Sequence, residues 1–439
     1  MTVGNWLLKA APPKAGSRPA SGTGAPAAQT PTVIDRRYIS HIGALDDSIS
    51  LASFHRKRKT CPMSQDVVTL LQQLVQIPSV NPDNVPGTSQ TGEETIAVFL
   101  SGWLESIGAT VTLEEIKPGR PNLIARFAPV DGRPRMLFGP HLDTVGVGGM
   151  TIEPFSGDIR DGKVWGRGAS DTKGPMAAML WALHENRDRL ASLPVAIDFV
   201  AFMGEESGQW GSKQFAHQFG GDYSFAMVGE PTDMTIVHET KGSTWATLRT
   251  SGRAAHSSMP EKGDNAILKL TRALDMLDRH LVPRLKDFSH PTLGHSTINI
   301  GVIRGGSRPN IVPDRAEAEI DIRFTPSLLE AGGALKLLGD TIADYELPLE
   351  IVNPHENPPM ETPSNHPGIQ RLLHTGKGTK LASAPWFSDA AHLSRGGIPS
   401  ICIGPGSIDQ AHTADEFISI DALEHGAEFF SEFVRNLGQ

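Results

Sequence analysis

The chain has 439 residues, 39% of them hydrophobic and 20% charged, a length and balance that suit two or three soluble domains with ample core. No apolar run approaches a membrane span, and two distant cysteines, Cys61 and Cys402, exclude a disulfide framework and fit a reducing, cytoplasmic compartment. Residues 1–62 carry nine Lys/Arg and three Asp, about +6, so the net charge of −9 leaves about −15 for residues 63–439. An acidic body of that kind argues against a nucleic-acid-binding surface.

Residues 1–32 are rich in Ala, Pro, Gly, Ser and Thr and lack apolar periodicity, so residues 1–62 read as a disordered N-terminal extension. Their basic composition also bears a faint likeness to an organelle transit peptide. Ser64 is placed to cap a first helix carrying Val67, Leu70, Leu71, Leu74 and Val75, which stops before Pro78. A second amphipathic helix carries Ile96, Phe99, Leu100, Trp103, Leu104 and Ile107 and ends at Gly108. Strands are expected over 109–116, 122–127, 135–138 and 195–203, with a helix over 176–187. This alternation predicts an α/β frame, a sheet flanked by helices. From about residue 241 the pattern changes to strand 243–251, helix 265–281, strands 297–303 and 316–324, helix 327–345 and strand 347–352. That β-α-β-β-α-β order predicts an inserted ferredoxin-like α+β domain over 241–352. It divides a catalytic frame made of 63–240 and 353–439, which resumes with a strand at 399–403 and a helix at 421–437.

The chemistry-bearing residues cluster after strands. His141 and Asp143 follow strand 135–138 and the Gly139-Pro140 turn, and two residues apart in extended chain they point the same way. A metal-binding histidine needs a carboxylate or carbonyl on its second ring nitrogen, although a buried histidine beside a surface aspartate has the same spacing. Asp171 sits in the loop Gly166-Arg167-Gly168-Ala169-Ser170-Asp171-Thr172-Lys173-Gly174. Glu205 and Glu206 follow strand 195–203, Glu230 precedes Pro231, and His412 ends the run that starts at Gly404. Each alone has an ordinary alternative: a turn aspartate, a solvated glutamate pair, a proline turn, a capping histidine. Together, at the carboxyl ends of strands, two histidines and three carboxylates suffice for a pair of zinc-like ions. One carboxylate can bridge ions roughly 3.5–4 Å apart.

From about Ser64 to the C-terminus these motifs resemble, in order and spacing, the dinuclear zinc amidohydrolases and peptidases. That family includes acetylornithine deacetylase, succinyl-diaminopimelate desuccinylase, aminoacylase and glutamate carboxypeptidase. The resemblance implies a zinc-peptidase-like catalytic domain with an inserted lid and dimerisation domain. It implies two divalent metal ions, zinc with cobalt or manganese as alternatives. His141 and Glu230 would hold one ion, Glu206 and His412 the other, and Asp171 would bridge them. Glu205 would be the general base toward a metal-activated water, and Asp143 would orient His141. In the inserted domain, His256 matches a histidine that reaches a partner's active site in dimeric relatives. Asn310 matches a substrate-contacting asparagine, and Arg323 an arginine that grips a substrate carboxylate, a task its planar fork suits. Pro140 and Thr172 depart from the commonest pattern, where Gly and Met are frequent, which predicts a local change of backbone.

The implied activity is hydrolysis of the amide of N-acyl amino acids, in the manner of acetylornithine deacetylase or succinyl-diaminopimelate desuccinylase. A dipeptidase or carboxypeptidase on the same frame is the second reading, and a non-catalytic binding protein the third. The expected partners are a small N-acyl amino acid or short peptide and a second copy of the chain, with no nucleic acid and no membrane.

Overall fold

The computed structural model describes residues 66–376 and 379–438. The expected extension over 1–62 and the Ser64 cap lie outside the described residues. The cap of the first described helix, Val67–Val75, is Asp66, whose carboxylate accepts from the Thr69 N–H at 2.7 Å.

In chain order the strands are β1 (Thr110–Lys117), β2 (Arg120–Arg126), β3 (Arg135–Phe138), β4 (Asp158–Arg160), β5 (Lys163–Trp165), β6 (Ala196–Ala201), β7 (Phe225–Val228) and β8 (Ile236–Thr240). They continue as β9 (Gly242–Ser251), β10 (Ser289–His290), β11 (Gly294–His295), β12 (Thr297–Gly305), β13 (Arg315–Phe324), β14 (Glu350–Asn357) and β15 (Met360–Glu361). The last three are β16 (Leu381–Ala384), β17 (Ser400–Cys402) and β18 (Phe417–Ser419).

The main sheet has the order β1-β2-β6-β3-β7-β17-β8-β15, with β16 also paired to β8. It is mixed: β3 runs parallel to β6 and β7, while β2 meets β6 and β8 meets β15 in antiparallel fashion. Every residue of β3, β6 and β7 is buried, because helices cover both faces. Helices Val67–Val75, Lys173–Glu185 and Ile420–Asn436 pack on one face with Phe138, Phe199 and Phe430. Helices Trp210–Phe219 and Asp389–Arg395 pack on the other with Phe202 and Phe215. Each such fully buried side chain contributes about 1.5–3 kcal/mol. β7 and β8 escape a reading by periodicity because short, wholly buried runs carry no alternation.

The second sheet, β12-β13-β9-β14, is antiparallel throughout. Only one face is covered, by helices Ala266–Asp287 and Ala334–Asp344, so Ala316, Ala318, Ile320, Ile322 and Phe324 of β13 are buried while the residues between them are not. The helix expected over 327–345 is two, Pro326–Glu330 and Ala334–Asp344. Gly332 and Gly333 separate them at φ +112° and +92°, a backbone that favours glycine and ends a helix. The helix expected to end at 281 continues to Asp287 through Pro283, and the last strand runs on to Asn357.

Candidate functional site

Four loops leave the main sheet on one rim. β3 delivers His141 and Asp143, β6 delivers Glu205 and Glu206, β7 delivers Glu230, and β17 leads through Gly404 and Pro405 to His412. The loops are packed against one another. A Cβ on Gly404 would lie 2.7 Å from the Glu230 carbonyl oxygen and 2.8 Å from Pro175, so only glycine lets the two chains approach so closely. The Thr172 hydroxyl donates to the Gly229 carbonyl, which ties the Asp171 loop to the Glu230 loop. The Asp171–Thr172 peptide is cis.

Asp171 lies between the two histidines. Its Oδ1 is 3.1 Å from His141 Nε2, and its Oδ2 is 3.5 Å from His412 Nε2. His412 Nε2 is also 3.1 Å from Glu206 Oε2. Two trios therefore share Asp171: His141, Asp171 and Glu230, and Asp171, Glu206 and His412. Within each, the ligand-type atoms lie within 4.8 Å of one another, and a third trio joins His141 to Glu205 and Glu206.

The charge of this cluster is undercompensated. Burial pushes the Glu230 carboxyl well above the usual carboxylate range, and the nearby Asp171 charge adds to it. Burial does the same to Glu205, helped by Glu230 and Asp389. Glu206 is also raised, by burial and then Asp171, although its hydrogen bond from His412 opposes this. Burial alone would depress His141, but the Asp143 and Asp171 carboxylates override it and raise the ring well above its ordinary value. Hydrogen bonds to Asp171 and Glu206 hold His412 up at about 10. Glu206 Oε1 and Glu230 Oε1 are buried without a hydrogen-bond partner. Orphaned carboxylate oxygens are costly. Histidine and carboxylate donors facing a common centre are the set that divalent cations take, so these residues fit a pair of such ions.

The surrounding shell was only partly foreseeable. Asp143 sits 3.6 Å from His141 Nδ1 through its carboxylate, but its own backbone carbonyl is nearer, at 2.9 Å. The Asp143 carboxylate accepts instead from Asn81 Nδ2 at 2.7 Å and from the N–H groups of Glu205 and Glu206 at 3.0 and 3.1 Å. It thereby fixes the turn that presents both glutamates. Glu416, buried at 1% exposure, accepts from the N–H groups of Gly168, Ser170 and Asp171 at 3.0, 2.9 and 2.9 Å and from Arg167 at 2.7 Å. That one carboxylate sets the conformation of the Asp171 loop. Asp389 is buried beside the cluster, accepts from Ser212 at 2.5 Å, and is pushed up to about 7 by burial. Asn81, Arg167, Glu416 and Asp389 carried no motif in the sequence that assigned them a role.

The three inserted-domain candidates stand apart. His256 is exposed and its Nδ1 meets Ser258 Oγ at 2.7 Å. Asn310 is exposed too, and its carbonyl accepts from the Ser257 N–H at 3.1 Å, so the His256 and Asn310 loops are neighbours. Arg323 lies on the uncovered face of the second sheet, paired with Asp321 at 3.0 Å. Among the described residues, no hydrogen bond or ion pair connects these three to the carboxylate cluster.

Comparison with known proteins adds to this geometry. Residues 137–436 match the model of peptidase family M20/M25/M40. Acetylornithine deacetylase of Proteus mirabilis is 30% identical over 388 residues, covering 84% of this chain and 96% of that protein. A metallo-carboxypeptidase of Sulfolobus solfataricus superposes with a TM-score of 0.70 at 20% identity, over 85% of this chain and 99% of that one. A Bacillus subtilis protein described as a dinuclear metal binding peptidase gives 0.59 at 14% identity, over 88% and 99%. At those identities the structures share the fold.

Proposed function

The chain belongs to peptidase family M20/M25/M40, and from that premise we propose that it is a hydrolase of the amide bond in N-acyl amino acids, of the acetylornithine deacetylase kind. It is a metal-dependent amidohydrolase. The observation that carries the reading is the pair of trios sharing Asp171, with Glu205 beside them. His141 and Glu230 would hold one ion, Glu206 and His412 the other, and Asp171 both. Zinc is the ion this reading assigns, because two imidazoles and three carboxylates suit it. When bound, the two ions supply Lewis acidity for water and for the amide carbonyl.

The protein's own groups supply the rest. Glu205 accepts a proton from the attacking water and returns it to the leaving amine. Asp143 keeps Glu205 in place through the backbone N–H it binds. Arg323 would pair with the substrate carboxylate, exchanging Asp321 for it. Asn310 and His256 would close over the acyl group from the inserted domain, His256 from a second copy of the chain. An exposed edge strand, β12, with Ile300 and Ile303 partly open to solvent, and the nearby Ile267 and Leu268 at 37% and 51% exposure support a homodimer through this domain. Succinyl-diaminopimelate is the next acyl substrate to try. The likeness to a carboxypeptidase fold favours a peptide substrate as the alternative. No described helix is long and apolar enough to cross a membrane. The buried free thiol of Cys402 supports a cytoplasmic location.

The test is a hydrolysis panel on protein reconstituted with zinc, holding N-acetyl-ornithine, N-succinyl-diaminopimelate, other N-acyl amino acids and dipeptides. Cleavage of one acyl class, lost on chelation and regained with zinc, is the expected result. Cleavage of dipeptides alone would replace the deacylase reading with the peptidase one.

A further inference from the structure

A second group of metal-ligating side chains stands outside the site described above. Glu239 in β8, Glu361 in β15 and His290 in β10 place one ligand-type atom each within 4.8 Å of one another. β8 leads into the inserted domain through Lys241, and β15 is the first strand after the chain leaves it. His290 belongs to the inserted domain, in the short hairpin β10-β11. The three residues therefore join the two crossing points of the chain to the body of the insert.

The charges here call for a cation. Glu239 and Glu361 are direct cross-strand partners in an antiparallel pair, which puts their side chains on one face of the sheet. Like charges directly opposite one another are destabilising. Among the described residues neither carboxylate has a Lys or Arg ion pair; their ionic neighbours are His238, at 3.8 Å from Glu239, and His290, at 3.7 Å from Glu361. His238 Nδ1 lies 2.8 Å from the Thr362 carbonyl, an acceptor only, so that nitrogen carries the ring proton and Nε2 offers Glu239 a lone pair.

His290 Nε2 is the ring nitrogen that faces Glu361. On the other side of the ring, Nδ1 meets the Thr292 hydroxyl at 2.9 Å and the Thr292 and Leu293 N–H groups at 3.4 Å, so the turn after β10 holds the outer nitrogen. The Thr292 hydroxyl also donates to Glu239 Oε2. A second ring nitrogen held by an outer partner is the usual arrangement at a metal-bound histidine. The side chains need to close by roughly 1 Å to reach the spacing of tetrahedral ligands at about 2.0–2.1 Å from zinc.

We propose that Glu239, His290 and Glu361 bind a zinc ion at the junction of the inserted domain with the main sheet, with water in the fourth position. The ion is separate from the pair assigned to the Asp171 cluster and has no part in the reaction. It ties the β10-β11 hairpin to the strands on which the insert would pivot.

The test is equilibrium dialysis of the whole protein, His290→Ala and Glu361→Gln against zinc chloride, with bound zinc counted by elemental analysis and folding checked by circular dichroism. Glu361 is half-exposed, so its variant keeps a folded control if His290→Ala disturbs the hairpin. The expected result is one fewer zinc per chain in each folded variant than in the wild type at the same free zinc. That difference does not depend on how many ions the Asp171 cluster takes, so it separates this proposal from the proposed function. Equal zinc in wild type and both variants overturns the proposal. Loss of the ion should also speed amide hydrogen exchange across residues 289–295 at least about tenfold, while exchange in β3 and β6 stays unchanged.

Discussion

The two sheets solve different problems. In the main sheet, β3, β6 and β7 are buried on both faces, and the Asp143 carboxylate after β3 accepts from the N–H groups of Glu205 and Glu206 after β6. In the second sheet β13 is buried on alternate residues only, and Arg323, His256 and Asn310 bond to neighbours within the same domain. A doubly covered sheet can hold charged groups to a fraction of an ångström, as reaction chemistry demands. A singly covered one leaves a face for whatever arrives, substrate or partner. In the proposed function, the division of labour between reacting and recognising groups would follow the division in burial.

Four substitutions would break or sharpen that contrast. Glu205→Gln should lower kcat/KM by about 10²–10⁴-fold, the usual worth of general acid–base catalysis, with bound metal unchanged. Steady-state kinetics and metal analysis on the same sample check this, and a variant within tenfold of wild type would remove Glu205 from the proton pathway. Glu416→Ala leaves Arg167 and three backbone N–H groups buried without their acceptor. It should cost roughly 3–5 kcal/mol in denaturant unfolding, as breaking a buried ion pair does, and weaken metal binding by about 10–100-fold. Arg323→Ala should raise KM for a substrate bearing a free carboxylate by about 10–100-fold, since a charged hydrogen bond is worth about 1.5–3 kcal/mol. Its stability should change by under about 1 kcal/mol, because the Asp321 pair is partly exposed. Ile303→Lys, on the edge strand at 61% exposure, should leave folding intact and shift a dimer toward monomer in analytical ultracentrifugation. If the contrast is right, Glu205→Gln acts on the chemistry at a loop of the main sheet, Glu416→Ala acts on metal binding and stability through the Asp171 loop, and the last two act through the second sheet and alter recognition or assembly.

The candidate residues stood out in the sequence because they are chemically unusual where they stand, and the resemblance to the dinuclear zinc hydrolases implied their roles. Histidine, aspartate and paired glutamates immediately after apolar strands are expensive unless they have a use. The residues that hold them were not legible. Arg167 and Glu416 are 249 positions apart and Asn81 and Asp143 are 62 apart, and nothing local marks either pair. The alternation of strands and helices announced the α/β frame, and the β-α-β-β-α-β order matches the antiparallel sheet over β9–β14. The break at Gly332-Gly333 was visible as two glycines, but the apolar spacing on either side suggested one helix. β7 and β8 became strands through burial between neighbours, a tertiary effect that no short window contains.

The proposed site turns on Asp171, which would be shared between two metal positions. Anomalous diffraction at the zinc edge, on crystals of zinc-loaded protein, tests it most directly. Two peaks about 3.5–4 Å apart are expected, with an Asp171 oxygen near each, one beside His141 and the other beside His412. A single peak, or a pair with Asp171 outside bonding distance of either, would contradict it.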